Sequence, residues 1–304
     1  MENQSLGYYL KQLEEKRPND FLDIPHPIDL KFEFQAIALE LDKQQYPPII
    51  RTHVKGYEDT TVVGNVFASR RRIAELLGDG GESEVAKNWI RVEKNTIPPV
   101  IVESGPVQEV FETENIDLNK LPLMQYYSTD AGRYISSSIV VVKDPETGVH
   151  NLSYHRMQFK GGNKFGISMH TRQHLFYYYE KAREAGKNLE VAIIVGCHPA
   201  VSMGAVARPG LNEDEYDVSG AILGEPLRLV KGRTVDIEYP AEAEVVLEGY
   251  IPTNEHEPEG PFGEFTGFST SRSTQNLFYC TGFAHRKNPI YETTVPGRSK
   301  DHLY

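Results

Sequence analysis

The chain has 304 residues, 39% hydrophobic and 25% charged, a composition that excludes wholesale disorder and fibrous repeats. Its 32 Lys and Arg against 43 Asp and Glu give a formal net charge of −11, opposite in sign to the basic footprint of a nucleic-acid binder. Two cysteines, Cys197 and Cys280, cannot build a disulfide framework, and no CxxC is present for a structural zinc site. Residues 1–5 lack the basic and apolar regions of a signal peptide, and no uncharged apolar run approaches the ~20 residues that cross a bilayer. The expectation is a cytoplasmic protein with no membrane or nucleic-acid partner, and length is consistent with two domains.

Leu6, Tyr9, Leu10 and Leu13 recur at helical spacing, and Phe34, Ile37, Ala38 and Leu41 repeat it. Residues 47–54 and 62–67 read as strands, followed by a helix over 70–77 with Ser69 as its cap and Gly78 as its stop. Alternating helices and strands predict an α/β domain over 1–112. The middle of the chain changes character. A β-branched run at 137–142, a turn at 144–148, a strand over 149–158, a Gly-rich turn at 160–163 and a third run through Ile167 and Met169 predict an antiparallel meander. Thr171 is expected to cap a helix that buries Leu175, Tyr178, Tyr179 and Ala182 and ends near Gly186. Residues 191–195 read as a buried strand, and 234–239, 244–250, 275–284 and 290–294 as later ones. The pattern is α+β, with a small β-barrel over 113–304 whose last strand, 290–294, is expected to return to the N-terminal domain.

Three groups of residues point to chemistry. In Glu257-Pro258-Glu259-Gly260-Pro261-Phe262-Gly263-Glu264, two glycines and two prolines force a tight path that can turn Glu259 and Glu264 toward one pocket. Composition alone equally allows a solvated acidic loop. In Asn151-Leu152-Ser153-Tyr154-His155-Arg156, strand alternation puts Asn151, Ser153 and His155 on one face and Leu152, Tyr154 and Arg156 on the other, unless a bulge intervenes. Arg156 can clamp a carboxylate bidentately or serve as a surface ion-pair partner. His170 and His174 lie four apart without the HExxH pattern, so each reads more readily as a hydrogen-bonded structural residue than as a ligand. The acidic run Glu213, Asp214, Glu215, Asp217 reads as a solvated loop, yet Asn, His and Glu together suit a hard divalent cation bridging to a phosphate. Arg70-Arg71-Arg72 opens a helix and is expected to be a solvated face. Neither GxGxxG nor GxxxxGK[ST] occurs.

Taken in order, 63–72, 151–156, Gln173-His174, Gly220-Ala221-Ile222-Leu223-Gly224-Glu225 and Glu259-Gly260-Pro261-Phe262-Gly263-Glu264 resemble the UbiD family of reversible decarboxylases, which use prenylated FMN. The resemblance implies an N-terminal α/β domain and a split β-barrel that holds the flavin. It implies Asn151, His174 and Glu215 as ligands of Mn²⁺ at the cofactor phosphate, and a K⁺ bound by backbone carbonyls around Ala205–Ala207. It implies Arg156, Glu259 and Glu264 as the catalytic network, and Asn151, Ser153, Tyr154, His155, Arg156, Gln173 and His174 as cofactor-binding. The implied activity is decarboxylation of an aromatic or α,β-unsaturated carboxylic acid by a homo-oligomer, with a flavin prenyltransferase supplying the cofactor. Family chains run on beyond the point matching Val295-Pro296-Gly297 into a C-terminal domain that supplies a phosphate-contacting lysine, a pocket wall and dimer contacts. This chain is therefore expected to be a truncated form, a fragment or half of a split enzyme, inactive or nearly so alone. An FMN-binding split-barrel oxidoreductase and a non-catalytic fragment that keeps only the fold are the alternatives.

Overall fold

Ser5 opens the first helix, Leu6–Lys16, by accepting the Tyr8 N–H at 3.0 Å, and Leu6, Leu10 and Leu13 form its buried stripe. In this computed structural model, which describes residues 3–78, 80–169 and 173–304, that helix packs on a four-stranded sheet. The strands run in the order Phe21–Asp23, Ile49–Val54, Tyr57–Gly64, Ile290–Glu292. The last of them comes from far along the chain and pairs in parallel with Tyr57–Gly64, with Tyr291 opposite Val62. Gly64 is required at that junction: a Cβ there would lie 2.5 Å from the Phe34 ring and 2.7 Å from the Thr293 carbonyl oxygen.

A ten-stranded antiparallel sheet occupies the middle of the molecule, making the fold α+β. Its longest strand, Ser273–His285, pairs with Lys164–Ile167, Val245–Ile251, His256–Glu259 and Val110–Glu112. Period-two alternation divides the core between the two faces. Val191, Ile193 and Val195 join one hydrophobic cluster, while Ala192 and Ile194 join the other with Ile139, Val141 and Leu152. Both faces are covered, which is why residues 191–195 of the strand Leu189–Val195 read as a continuous apolar run. A three-stranded sheet of Val100–Ile101, Arg228–Lys231 and Glu238–Pro240 stands beside it. The strand expected at 234–239 is thus confined to its end, Glu238–Pro240, with bends at 233–236 before it. The Glu248 carboxylate takes the backbone N–H groups of Arg233 and Thr234, which holds that stretch out of the ladder.

The expected strand over 149–158 is also divided, into His150–Tyr154 and Met157–Gly161. The helix that follows runs over His174–Glu184 and buries Leu175, Tyr178 and Tyr179, while the expected cap Thr171 and His170 lie outside the described residues. Ser69 holds the N-cap position of Arg70–Leu77, yet its hydroxyl is buried without a hydrogen-bond partner. Arg72 corrects the expectation of a solvated arginine face, being 1% exposed. Its guanidinium folds inward because Nε finds the Val66 carbonyl at 3.2 Å and Nη2 the Asn65 carbonyl at 2.7 Å. The Asp301 carboxylate closes the same loop, accepting the N–H groups of Asn65 at 3.1 Å and Phe67 at 2.8 Å. Among the described residues no helix is long and apolar enough to cross a membrane.

Glu292 lies buried where the returning strand joins the first sheet, and burial pushes its carboxyl up to about 8, with the Asp301 and Glu244 charges acting in the same direction. The folded protein therefore holds a proton that the unfolded chain releases near the ordinary carboxylate range, so stability falls as pH rises from about 4.5 to 8. Glu292→Gln removes that titration and is expected to stabilise the protein by about 1–2 kcal/mol at pH 8.5 and little at pH 5. Thermal unfolding at the two pH values is the check, and an equal effect at both defeats the assignment.

Candidate active site

The loop after strand His256–Glu259 is held in place by Asp130. Its carboxylate accepts the N–H of Gly263 at 3.2 Å, of Tyr126 at 3.1 Å and of Tyr127 at 2.8 Å, while the Ala131 N–H donates to the Pro261 carbonyl at 2.9 Å. Gly263 lies flat on Tyr127, where a Cβ would come within 2.9 Å of the ring. This anchoring turns both glutamates toward Arg156. Glu259 meets the guanidinium through two parallel bonds, Nε to Oε1 at 3.0 Å and Nη2 to Oε2 at 2.8 Å, and Nη1 donates to Glu264 Oε1. Phe262 covers the guanidinium, its ring centroid 5.6 Å from Cζ. Burial opposes the Arg156 charge, but the hydrogen bonds and charges of the two carboxylates outweigh it and raise its pKa. The Glu259 side chain is wholly buried, whereas that of Glu264 is 29% exposed.

Glu264 is exposed toward a cavity of about 200 Å³ lined by Tyr154, His155, Arg156, Ser168, Gln173 and Glu264, with Ser136, Thr294 and His302 on its rim. Three consecutive residues, 154–156, cannot share one face of a regular strand. The break after Tyr154 is an interruption of the kind that exempts these residues from the alternation, and it lets all three line one space. His155 is fixed in the break: Nδ1 donates to the Ser168 carbonyl at 2.9 Å, and Nε2 bonds the Ser153 hydroxyl at 3.0 Å.

A second polar site is built across the strand His150–Tyr154 and the helix Glu215–Leu223. Asp214 caps that helix, accepting the Tyr216 N–H at 2.8 Å, so Glu215 is its first residue. The Glu215 carboxylate accepts Asn151 Nδ2 at 2.8 Å and the Leu152 N–H at 3.1 Å. Neighbouring Glu213 turns away and accepts the Gly210 N–H at 2.8 Å. Burial pushes the Glu215 carboxyl up to about 7, and Asn151 Oδ1 is buried with no hydrogen-bond partner. His174 opens the next helix, one turn before Tyr178 on the same face, and Tyr178 feels the Glu215 charge. No contact described joins His174 itself to the Asn151–Glu215 pair. Among the described residues no three His, Cys, Asp or Glu side chains form a metal cage, so a cation here would depend on the Asn151 amide oxygen. Ala205–Ala207 close the Pro199–Gly204 helix, their N–H groups bonding back to the carbonyls of Val201, Met203 and Gly204.

Sequence reasoning passed over Asp130 and His150. Asp130 carries no pattern at all, since its partners lie more than a hundred residues away or in an irregular turn. His150 did carry a signal: it stands directly before Asn151.

Residues 100–299 match the 3-octaprenyl-4-hydroxybenzoate carboxy-lyase Rift-related domain, and residues 10–88 match the N-terminal domain of the same family. The chain belongs to the UbiD family. It is 34% identical over 277 residues to the phenolic acid decarboxylase of Bacillus subtilis, covering 88% of this chain and 58% of that protein. The UbiD-class enzyme HmfF from Pelotomaculum thermopropionicum, in an evolved dimeric form in complex with prFMN, superimposes with a TM-score of 0.92 at 35% identity, over 98% of this chain and 69% of that one. Vanillic acid decarboxylase of Sedimentibacter hydroxybenzoicus does so with a TM-score of 0.92 at 29% identity, over 98% and 65%. The chain spans less than two thirds of the length of the curated relatives it matches.

The bidentate pair makes a stability prediction. Arg156→Met leaves Glu259 buried and uncompensated and is expected to cost about 3–5 kcal/mol. Adding Glu259→Gln removes the stranded charge and should restore at least about 1 kcal/mol of that loss. Urea unfolding of the two variants measures the difference, and a double variant no more stable than the single one contradicts the ion-pair account.

Proposed function

We propose that the chain is the cofactor-binding part of a reversible, non-oxidative decarboxylase that acts on an aromatic or α,β-unsaturated carboxylic acid with prenylated FMN. The observation that carries this reading is the Arg156 guanidinium joined to Glu259 and Glu264 at the wall of a cavity. Family membership and the two decarboxylase relatives support it. The ten-stranded sheet is then the family's split barrel, and 1–112 and 113–304 are the two domains, with Val110–Glu112 joining the second domain's sheet and Ile290–Glu292 returning to the first. The residues present suit the cofactor and its ions. Ser153, Tyr154, His155, Arg156 and Gln173 offer hydrogen-bonding groups in and beside the cavity. Asn151 Oδ1, buried without a donor, and the buried Glu215 carboxylate offer oxygen donors for Mn²⁺, with His174 as the third ligand. K⁺ would take backbone carbonyls near Ala205–Ala207.

Loss of CO₂ leaves an electron pair on carbon, for which prenylated FMN is the electron sink when bound. The chain's own residues do the rest. Arg156 offers a fixed cation to the substrate carboxylate and orients it. Glu264, the more exposed of the two glutamates, delivers a proton from its carboxyl to the carbon that has lost CO₂, and recovers one from solvent. Glu259 keeps the guanidinium in place through its two parallel bonds. A homo-oligomer, supplied with cofactor by a flavin prenyltransferase, completes the proposal.

The test is to supply the protein with prenylated FMN, Mn²⁺ and K⁺ and to assay aromatic and acrylic acids for CO₂ release or H/D exchange at the carboxyl-bearing carbon. Glu264→Gln is expected to lower the rate 10²–10⁴-fold while the fold survives. A variant that keeps more than about a tenth of the rate removes Glu264 as the proton donor.

A further inference from the structure

His150 makes contacts that the chemistry above does not use. Nδ1 lies 2.7 Å from Asp214 Oδ2 and Nε2 lies 2.9 Å from Glu238 Oε2, and the His150 backbone N–H adds a bond to Asp214 Oδ2 at 3.2 Å. Ionised carboxylates only accept, so both ring nitrogens carry protons and the side chain is an imidazolium. The Tyr216 ring stands edge-on at 5.1 Å and its hydroxyl donates to the Glu238 carbonyl at 3.1 Å, while Lys143 Nζ approaches Glu238 Oε2 at 3.2 Å. The imidazolium thus sits in a built box of three elements, the strands His150–Tyr154 and Glu238–Pro240 and the cap of the helix Glu215–Leu223.

Its place in the chain gives the box a consequence. His150 directly precedes Asn151, and Asp214 directly precedes Glu215. The His150–Asp214 bond is therefore a second tie between strand and helix, one residue before the Asn151–Glu215 bond on each element. Two ties in register prevent the strand from sliding or rolling on the helix. Oxygen donors to Mn²⁺ must lie within a few tenths of an ångström of their ideal distance, so such motion would separate them.

We propose that His150 is a positioning residue for divalent-cation binding: clamped between Asp214 and Glu238, it sets the separation of the Asn151 and Glu215 oxygens. This rests on the reading of Asn151 and Glu215 as ligands, and the test keeps the two apart. Mn²⁺ is titrated into the protein with FMN present and followed by EPR, with Glu215→Gln as the ligand control. His150→Gln is expected to weaken Mn²⁺ binding 10–100-fold and to broaden the spectrum of the bound ion. His150→Gln combined with Glu238→Gln, in which amides can bridge the same span without opposed acceptors, should recover affinity to within about threefold. A merely structural His150 would lower the melting temperature of the metal-free variant but leave the Kd and line shape of the folded protein unchanged. If His150→Gln binds Mn²⁺ within twofold of the parent while Glu215→Gln does not bind it, the positioning role is overturned and the ligand reading stands. If the parent protein does not bind Mn²⁺, or Glu215→Gln binds it equally well, the ligand reading fails and the positioning role fails with it.

Discussion

Arg156 stays charged below the surface because Glu259 meets it with both carboxylate oxygens and Glu264 takes a further N–H. A buried guanidinium without such partners would lose several kcal/mol of solvation, and the neighbouring chain is arranged around avoiding that loss. The strand breaks after Tyr154 so that the arginine can turn off the sheet, and Asp130 fixes the turn that presents Glu264. Phe262, between the two glutamates, closes the guanidinium's open face and packs on Tyr134, ring centroids 4.3 Å apart. The interaction that positions these charges also shapes the cavity beside them.

A second constraint is the burial of negative charge near the helix Glu215–Leu223. Asp214, Glu215 and Glu238 lie close together in a chain that already carries a formal net charge of −11. Asp214 and Glu238 are satisfied by His150, and His150 with Lys143 holds the Glu238 carboxyl down to about 2. Burial raises the Glu215 carboxyl, and the N–H groups it accepts, from Leu152 and Asn151 among them, do not offset that. That contrast is the reason Glu215, rather than its acidic neighbours, is proposed as a cation ligand. The orphaned Asn151 oxygen beside it points the same way.

Long-range ties also hold the two ends of the chain together. Strand Ile290–Glu292 completes the first sheet, and Asp301 fills the loop at 65–67 with Arg72 beneath it. These contacts bring Thr294, Pro296 and His302 to the cavity rim, so the N-terminal layer and the central sheet meet at the candidate site. Buried acids at this junction, Glu292 and Asp301, are among the groups through which pH acts on the fold.

Much of this was legible from residues alone. Helical spacing in Leu6, Leu10 and Leu13, the β-branched run at 191–195 and the Gly-Pro path at 257–264 each act through neighbours a few residues away, and local sterics and periodicity suffice to read them. The same reading brought Glu259, Glu264 and Arg156 forward as candidates. It left open whether they meet, because a strand segment and a loop more than a hundred residues apart are joined only by sheet pairing. The buried Arg72, the break at 155–156 and the His150 clamp were beyond it for one reason. A charged side chain folds inward, or a strand stops, according to contacts that only the folded chain delivers, and no local pattern encodes a 65–67 loop closed by Asp301 and turning its carbonyls to Arg72, or an Asp214 carboxylate arriving from another element.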